Sequence, residues 1–395
     1  MRAVTWQGKR DVQVQDVPDP VITGDDQIVV EVTTTGLCGS DLHLYEVLGP
    51  FMTRGDVLGH ETMGLVVDTS PDVDRLKIGD RVVIPFQIAC GHCFMCDRGL
   101  QTQCETTQVR STGMGAALFG YSSLYGSVPG GQAEYLKVPH ASYGAIAATG
   151  DLPDTRYVYL SDVLPTAWQA FQYAGVREGE TLAVVGLGPI GDMTTRLAQL
   201  HGVRVIGVDR VTERLNRANT HGVEVVDLER MEPVDIVRSL THGRGADAVV
   251  DAVGMEAHGS PAPSLMQKAV GLLPDAAARA AMRSAAVDRM AALRLAMSLV
   301  RRGGTVSISG VYAGTHDPVS FQELFDRQIT LRMGQANVLR WIDDLLPLVE
   351  QADDPLGLED FATHRLSLED APRAYDAFQR KADGTVKVLF DPRAA

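Results

Sequence analysis

A chain of 395 residues, 45% hydrophobic and 22% charged, has the make-up of an ordinary globular protein of two or three domains. Its 36 basic residues stand against 50 acidic ones, a formal charge of -14 with no basic stripe, which argues against a nucleic-acid or anionic-membrane partner. No apolar run approaches a membrane span, and the N-terminus (Met1-Arg2-Ala3-Val4-Thr5-Trp6-Gln7) carries no apolar export segment, so a cytoplasmic location with reduced thiols is expected.

The first part of the chain is built from short β-like runs, 27–32, 64–67 and 81–85, separated by Gly, Pro and Asp turns. Between the first two lie Leu37-Cys38-Gly39-Ser40-Asp41-Leu42-His43 and, about twenty residues later, Gly59-His60-Glu61. A lone cysteine followed by a histidine reads as the start of an open metal site, in which zinc keeps a position for substrate. The other four cysteines, Cys90, Cys93, Cys96 and Cys104, form C-x2-C-x2-C-x7-C within a lobe at about 88–106. Four thiolates at that spacing close a tetrahedral shell with no room for water, the pattern of a structural zinc.

From about residue 160 the pattern changes. A helical stretch around Asp162 leads into alternating strands and helices, with strands expected at 181–185, 203–208, 248–250, 305–309 and 329–332, the signature of a doubly wound parallel sheet and an α/β fold. The connection 254–303 is too long for an ordinary crossover and contains an insertion, its second half (274–302) rich in Ala, Met, Leu and Arg and expected to be helical. After Gly334 the chain reads as helix, loop and a closing strand at 385–390, which returns to the first domain.

The first of these strands runs into Gly186-Leu187-Gly188-Pro189-Ile190-Gly191 and then a helix. Gly186 permits a tight turn, Gly188 lets backbone N–H groups approach a pyrophosphate, and Gly191 lets helix and strand pack closely. The second strand delivers Asp209 eighteen residues after Gly191, where a carboxylate accepts hydrogen bonds from an adenosine ribose and repels the extra phosphate of NADP. NAD is the expected cofactor; Arg210 is read as a surface charge, the alternative being a partner for that phosphate.

These patterns together resemble the zinc-containing medium-chain alcohol dehydrogenase family. Ser161-Asp162-Val163-Leu164-Pro165-Thr166, the insertion after Asp251-Ala252-Val253-Gly254-Met255-Glu256, and Leu331-Arg332-Met333-Gly334-Gln335 are similar to the glutathione-independent formaldehyde dehydrogenases of that family. The resemblance implies a mostly β, GroES-like catalytic domain at 1–160 completed by 336–395, and a Rossmann nucleotide domain at 161–335 with the insertion at about 255–299. It implies two zinc ions per chain, with Cys38, His60 and Asp162 holding the catalytic one, Glu61 as a neighbouring carboxylate or occasional ligand, and Asp41 orienting the His60 ring. Ser40 and His43 match proton-relay positions, Gln335 falls in the cofactor-binding segment, and Lys387 is expected near the pyrophosphate.

On this reading hydride passes between NAD and a small alcohol or aldehyde hydrate, including formaldehyde oxidation or dismutation. Phe51, Met52, Leu118, Phe119 and Tyr121 are candidate pocket residues. The alternatives are a polyol or amino-alcohol dehydrogenase of the same superfamily and a non-catalytic NAD-binding redox sensor. The insertion reads either as an enlarged crossover helix on the surface or, as the resemblance implies, as a cover over the adenine end of NAD that slows its release, and the chain is expected to form a dimer or tetramer.

Overall fold

Alternating apolar and polar residues at the N-terminus fold back as an antiparallel pair, β1 (Arg2–Gly8) with β2 (Asp11–Asp16). They open a computed structural model that describes residues 1–254, 290–312 and 320–394. The spine of the first large sheet is β3 (Gln27–Leu37), paired along one edge with β4 (Glu61–Thr69), which in turn pairs with β5 (Arg81–Ile84). Along its other edge β3 takes β6 (Tyr135–Pro139) over Gln27 to Glu31 and leaves Thr35 to Leu37 for a strand from the far end of the chain. The short β7 (Ile146–Ala147) closes against β5. Because successive side chains alternate faces, Ile28, Val30 and Val32 of β3 fall on one side, where they pack with Val66, Val82, Ile84, Leu136 and Val138 as the core.

The middle of the chain forms a parallel sheet of β8 (Thr181–Val185), β9 (Arg204–Asp209), β10 (Glu224–Asp227), β11 (Ala246–Asp251), β12 (Val300–Ile308) and β13 (Thr330–Met333), in the order β10-β9-β8-β11-β12-β13. This is the doubly wound order, which reverses between β8 and β11 and opens a crevice at the strands' carboxyl ends. β10 was not among the expected strands: its four residues, Glu224-Val225-Val226-Asp227, begin and end with acids and owe their conformation to pairing with Ile206 to Asp209. β12 starts earlier than expected, at Val300. Most of the 255–299 insertion lies outside the described residues, apart from the helix Ala291–Leu299, whose Leu293, Ala296 and Leu299 pack into the core of this sheet.

The chain then returns through β14 (His364–Ser367) and β15 (Val388–Asp391), and β15 pairs antiparallel with the Thr35 to Leu37 end of β3. Two compact units result, 1–165 with 336–395, and 166–335. The division falls five residues later than the expected 160/161, because Ser161 and Asp162 are held in the first unit: the Ser161 carbonyl accepts from Phe86 N at 3.2 Å and Asp162 meets Cys38. Among the described residues no helix is long and apolar enough to cross a membrane.

Candidate metal and cofactor sites

Cys38 stands where β3 ends and the helix Gly39–Glu46 begins, His60 and Glu61 where β4 begins, and Asp162 between a 3-10 turn and the helix Val163–Ala174. Pairing of β3 with β4 sets Gly36 opposite Glu61, which brings Cys38 and His60 to the same end of the sheet. Asp162 Oδ2 lies 3.3 Å from Cys38 Sγ and 3.3 Å from His60 Nε2. A tetrahedral zinc with bonds of about 2.0–2.3 Å holds its donors roughly 3.3–3.8 Å apart, so the spacing is that of a ligand set. His60 Nδ1 faces Asp41 Oδ1 at 3.2 Å, which leaves Nε2 as the nitrogen turned to Asp162 and the sulfur. Asp41 is itself held, its Oδ2 accepting from Cys38 N at 3.0 Å and from Gln132 Nε2 at 3.3 Å, while Tyr375 donates to Gln132 Oε1 at 2.8 Å.

Charge makes the same point. All four side chains are buried, and without a cation burial, with Asp162 alongside, pushes the Cys38 thiol up to about 12. Burial works against charging His60, but Asp41 and then Asp162 outweigh it and raise the imidazole well above its usual value. Glu61 has its own counter-ion: Lys387, wholly buried, places its ammonium on Glu61 Oε2 and donates to the Leu37 carbonyl at 3.1 Å. With that pair neutral, a Cys38 thiolate and an Asp162 carboxylate carry two negative charges, which a dication balances. Lys387, expected near the pyrophosphate, here has Glu61 as its ionic partner. It precedes β15, whose pairing with β3 carries it into the interior, where an ammonium requires a carboxylate.

Ser40 and His43 lie three residues apart on the helix Gly39–Glu46, hence on one face, with Ser40 partly exposed and His43 buried. Of the candidate pocket residues, Phe119 belongs to the sheet core and Leu118 is buried, whereas Phe51, Met52 and Tyr121 keep some exposure. Gly120 passes so close to Gly59 that a Cβ on it would stand 2.3 Å from the Gly59 carbonyl oxygen. That approach carries Tyr121 next to the ligand cluster; burial raises its phenol, and His60, Asp41 and Cys38 are among the charges it feels. The Phe86 ring meets His60 edge to face, with centroids 6.3 Å apart.

The four-cysteine lobe is a set of turns, including 3-10 turns Cys96–Arg98 and Gln101–Gln103. Its sulfur atoms all lie within 4.8 Å of one another, Cys93 Sγ and Cys104 Sγ at 3.9 Å, the separation of thiolates around one zinc and far beyond a disulfide bond. Thr106 Oγ1 donates to Cys90 Sγ at 3.1 Å, and the backbone N–H groups of Cys90 and Glu105 point at Cys104 Sγ and Cys93 Sγ at 3.4 Å each. Donors aimed at sulfur suit thiolates.

In the second unit, Gly186 takes φ +88, and a Cβ there would meet Val253 at 2.4 Å; a Cβ on Gly191 would stand 1.8 Å from the Gly186 carbonyl oxygen. Pro189 opens the helix Pro189–Leu200, its fixed φ suiting the first helical position. Residues 181–187 and 191–198 are buried, whereas Gly188, Pro189 and Ile190 are partly exposed, so the turn presents the free N–H groups of the helix start. Asp209 ends β9, with Oδ2 accepting from Leu187 N at 2.6 Å and Oδ1 from Arg210 N at 2.7 Å and Val211 N at 2.9 Å. Arg210 pairs with Glu229 at 3.1 Å. Gln335 closes the unit, its carbonyl accepting from Gln169 Nε2 at 2.9 Å.

Comparison with known proteins agrees with this geometry. Residues 24–148 match the alcohol dehydrogenase GroES-like domain and residues 189–273 the zinc-binding dehydrogenase domain. The zinc-type alcohol dehydrogenase-like protein AdhB of Bacillus subtilis is 39% identical over 99% of this chain and 100% of its own. The formaldehyde dismutase of Pseudomonas putida is 31% identical over 99% of this chain and 97% of its own. In structure, the alcohol dehydrogenase TADH from Thermus sp. ATN1 superposes with a TM-score of 0.81 at 34% identity, over 99% of both chains. The chain belongs to the zinc-type alcohol dehydrogenase family.

This chain is thus an oxidoreductase of a zinc-binding dehydrogenase family. Sequence reasoning passed over several residues of its sites. Gln132 and Tyr375 support Asp41 from far along the chain, and no local pattern marks them. Arg214, in the helix Thr212–Thr220, holds its guanidinium against the glycine turn, Nη1 lying 3.4 Å from where a Cβ on Gly188 would be. An arginine in a helix after β9 looks from sequence like any other surface charge.

Proposed function

We propose that this dehydrogenase moves hydride between NAD and a small alcohol, or an aldehyde in its hydrated form, at a zinc held by Cys38, His60 and Asp162. The observation that carries the proposal is the meeting of sulfur, imidazole and carboxylate around Asp162 Oδ2, both at 3.3 Å, with a second carboxylate neutralised beside them by Lys387. A zinc held by these three side chains would supply the Lewis acid that makes a substrate hydroxyl more acidic, and NAD would supply the hydride acceptor. Asp41 holds the His60 ring with Nε2 inward. Ser40 takes the substrate proton and His43, one turn along the helix, passes it on. Cys90, Cys93, Cys96 and Cys104 hold a second, structural zinc, whose thiolates need the reducing conditions of the cytoplasm.

The hydrated aldehyde enters because its O–H is chemically the same group as that of an alcohol, and the partly exposed Tyr121 adds a hydroxyl among otherwise apolar candidate pocket residues. A homo-oligomer, dimer or tetramer, fits the edge of β13, which has no further strand beside it among the described residues and carries Leu331 and Met333 at 38% and 62% exposure. Purified protein should contain two zinc ions per chain by elemental analysis and reduce NAD with small alcohols or aldehydes in preference to polyols and amino alcohols. Asp162→Ala should keep one zinc and lose turnover; two zinc ions and full turnover in that variant would refute the ligand assignment.

A further inference from the structure

The residue after the last glycine of the cofactor turn is an acid, Asp192, in the first turn of the helix Pro189–Leu200 and almost wholly buried. Its Oδ2 lies 3.1 Å from Arg196 Nη2, one turn along the same helix, and 2.9 Å from Arg217 Nε, on the helix Thr212–Thr220. Arg196 Nη2 also lies 2.9 Å from His221 Nε2, just past the end of that second helix. The register of these contacts is informative. Gly188 and Asp192 are four residues apart, joined by a 2.8 Å backbone hydrogen bond, and Arg214 and Arg217 are three apart, so each pair shares one helix face. Arg217 meets Asp192, and Arg214 stands over Gly188. The first contact is complete within the protein. The second is not: the Arg214 side chain makes no hydrogen bond or ion pair with the described residues, and its Nε is buried without a partner.

We propose that Asp192 is a positioning residue for the cofactor: by gripping Arg217 it sets the helix Thr212–Thr220 so that the Arg214 guanidinium waits over Gly188 for a cofactor phosphate or ribose oxygen. The two arginines on Asp192 also cancel a negative charge that would otherwise sit in the first turn of the helix and repel that phosphate. The inference rests on the glycine turn as the cofactor site, and its test separates the two.

NADH is titrated by fluorescence against the zinc-loaded protein and its variants. Arg217→Met is expected to weaken NADH about tenfold, the scale of one charge-assisted contact held out of place, with KM for NAD rising and kcat at saturation kept. Arg217→Lys should recover most of that loss. In an Arg214→Met background, Arg217→Met should cost nothing more, since the two act through one contact. Asp192→Asn, equal in shape without the charge, repeats the measurement from the other partner if Arg217→Met folds poorly. An unchanged dissociation constant in both Arg217→Met and Asp192→Asn overturns the inference. So does a loss of equal size with or without Arg214, which is general loosening. Failure of the unaltered protein to bind NADH instead overturns the cofactor assignment of the turn.

Discussion

Lys387→Met removes the counter-ion of Glu61 while nearly filling the lysine's volume, so its cost is electrostatic rather than a cavity. Both side chains are 0% exposed, and Glu61 Oε1 has no hydrogen-bond partner among the described residues, so the stranded carboxylate has nowhere to turn. Breaking a buried pair by removing one partner costs about 3–5 kcal/mol, and the lost bond to the Leu37 carbonyl is of order 1 kcal/mol within that. With a urea slope of about 2–3 kcal/mol per molar, the midpoint should fall by about 1–2 M. Adding Glu61→Gln should bring it back to within about 1–2 kcal/mol of the starting protein, because a neutral pair of similar shape leaves no buried charge. The sign with pH follows. In Lys387→Met the folded-state pKa of Glu61 lies above its unfolded value, so the penalty is full at pH 8 and shrinks as pH falls and the carboxyl takes up a proton. The assay is urea unfolding of the zinc-loaded protein followed by tryptophan fluorescence at pH 8 and pH 5.5. A midpoint loss worth less than about 1 kcal/mol at pH 8, or an equal loss at both pH values, would refute the reasoning.

Removing zinc with a chelator should expose Cys93 to alkylation before the other three cysteines of its lobe at neutral pH, read by peptide mass spectrometry. Burial opposes its ionisation, but backbone N–H groups of Cys96 and Glu105 hold it down to about 6, and it is the least buried of the four. Gly191→Ala puts a Cβ 1.8 Å from the Gly186 carbonyl and should weaken NADH by more than about tenfold, with zinc content unchanged. Asp209→Ala should narrow the preference for NAD over NADP in steady-state kinetics. Because Asp209 also accepts from the backbone of Leu187, Arg210 and Val211, most of the change should come as poorer use of NAD rather than better use of NADP.

The parts of this dehydrogenase legible in the sequence are those whose geometry is local. Cys90 to Cys104 lie on tight turns, so their spacing alone nearly sets the sulfur positions, and Gly186 to Gly191 must bend a strand into a helix within six residues. The short apolar runs of β3, β4 and β8, bounded by turn residues, likewise announced both sheets. Asp162 was within reach only through resemblance, since it meets Cys38 across 124 positions and nothing in its neighbours marks it as a ligand. The Glu61 partner of Lys387 was out of reach for the same reason: it lies 326 positions away, and only the pairing of β15 with the end of β3 puts them together. Arg214 and Asp192 depend in turn on how two helices pack over β8 and β9. Periodicity, turn chemistry and ligand spacing act over a few residues and can be read along the chain. The partner of a buried charge is chosen by strand register and helix packing, and those exist only once the chain has folded.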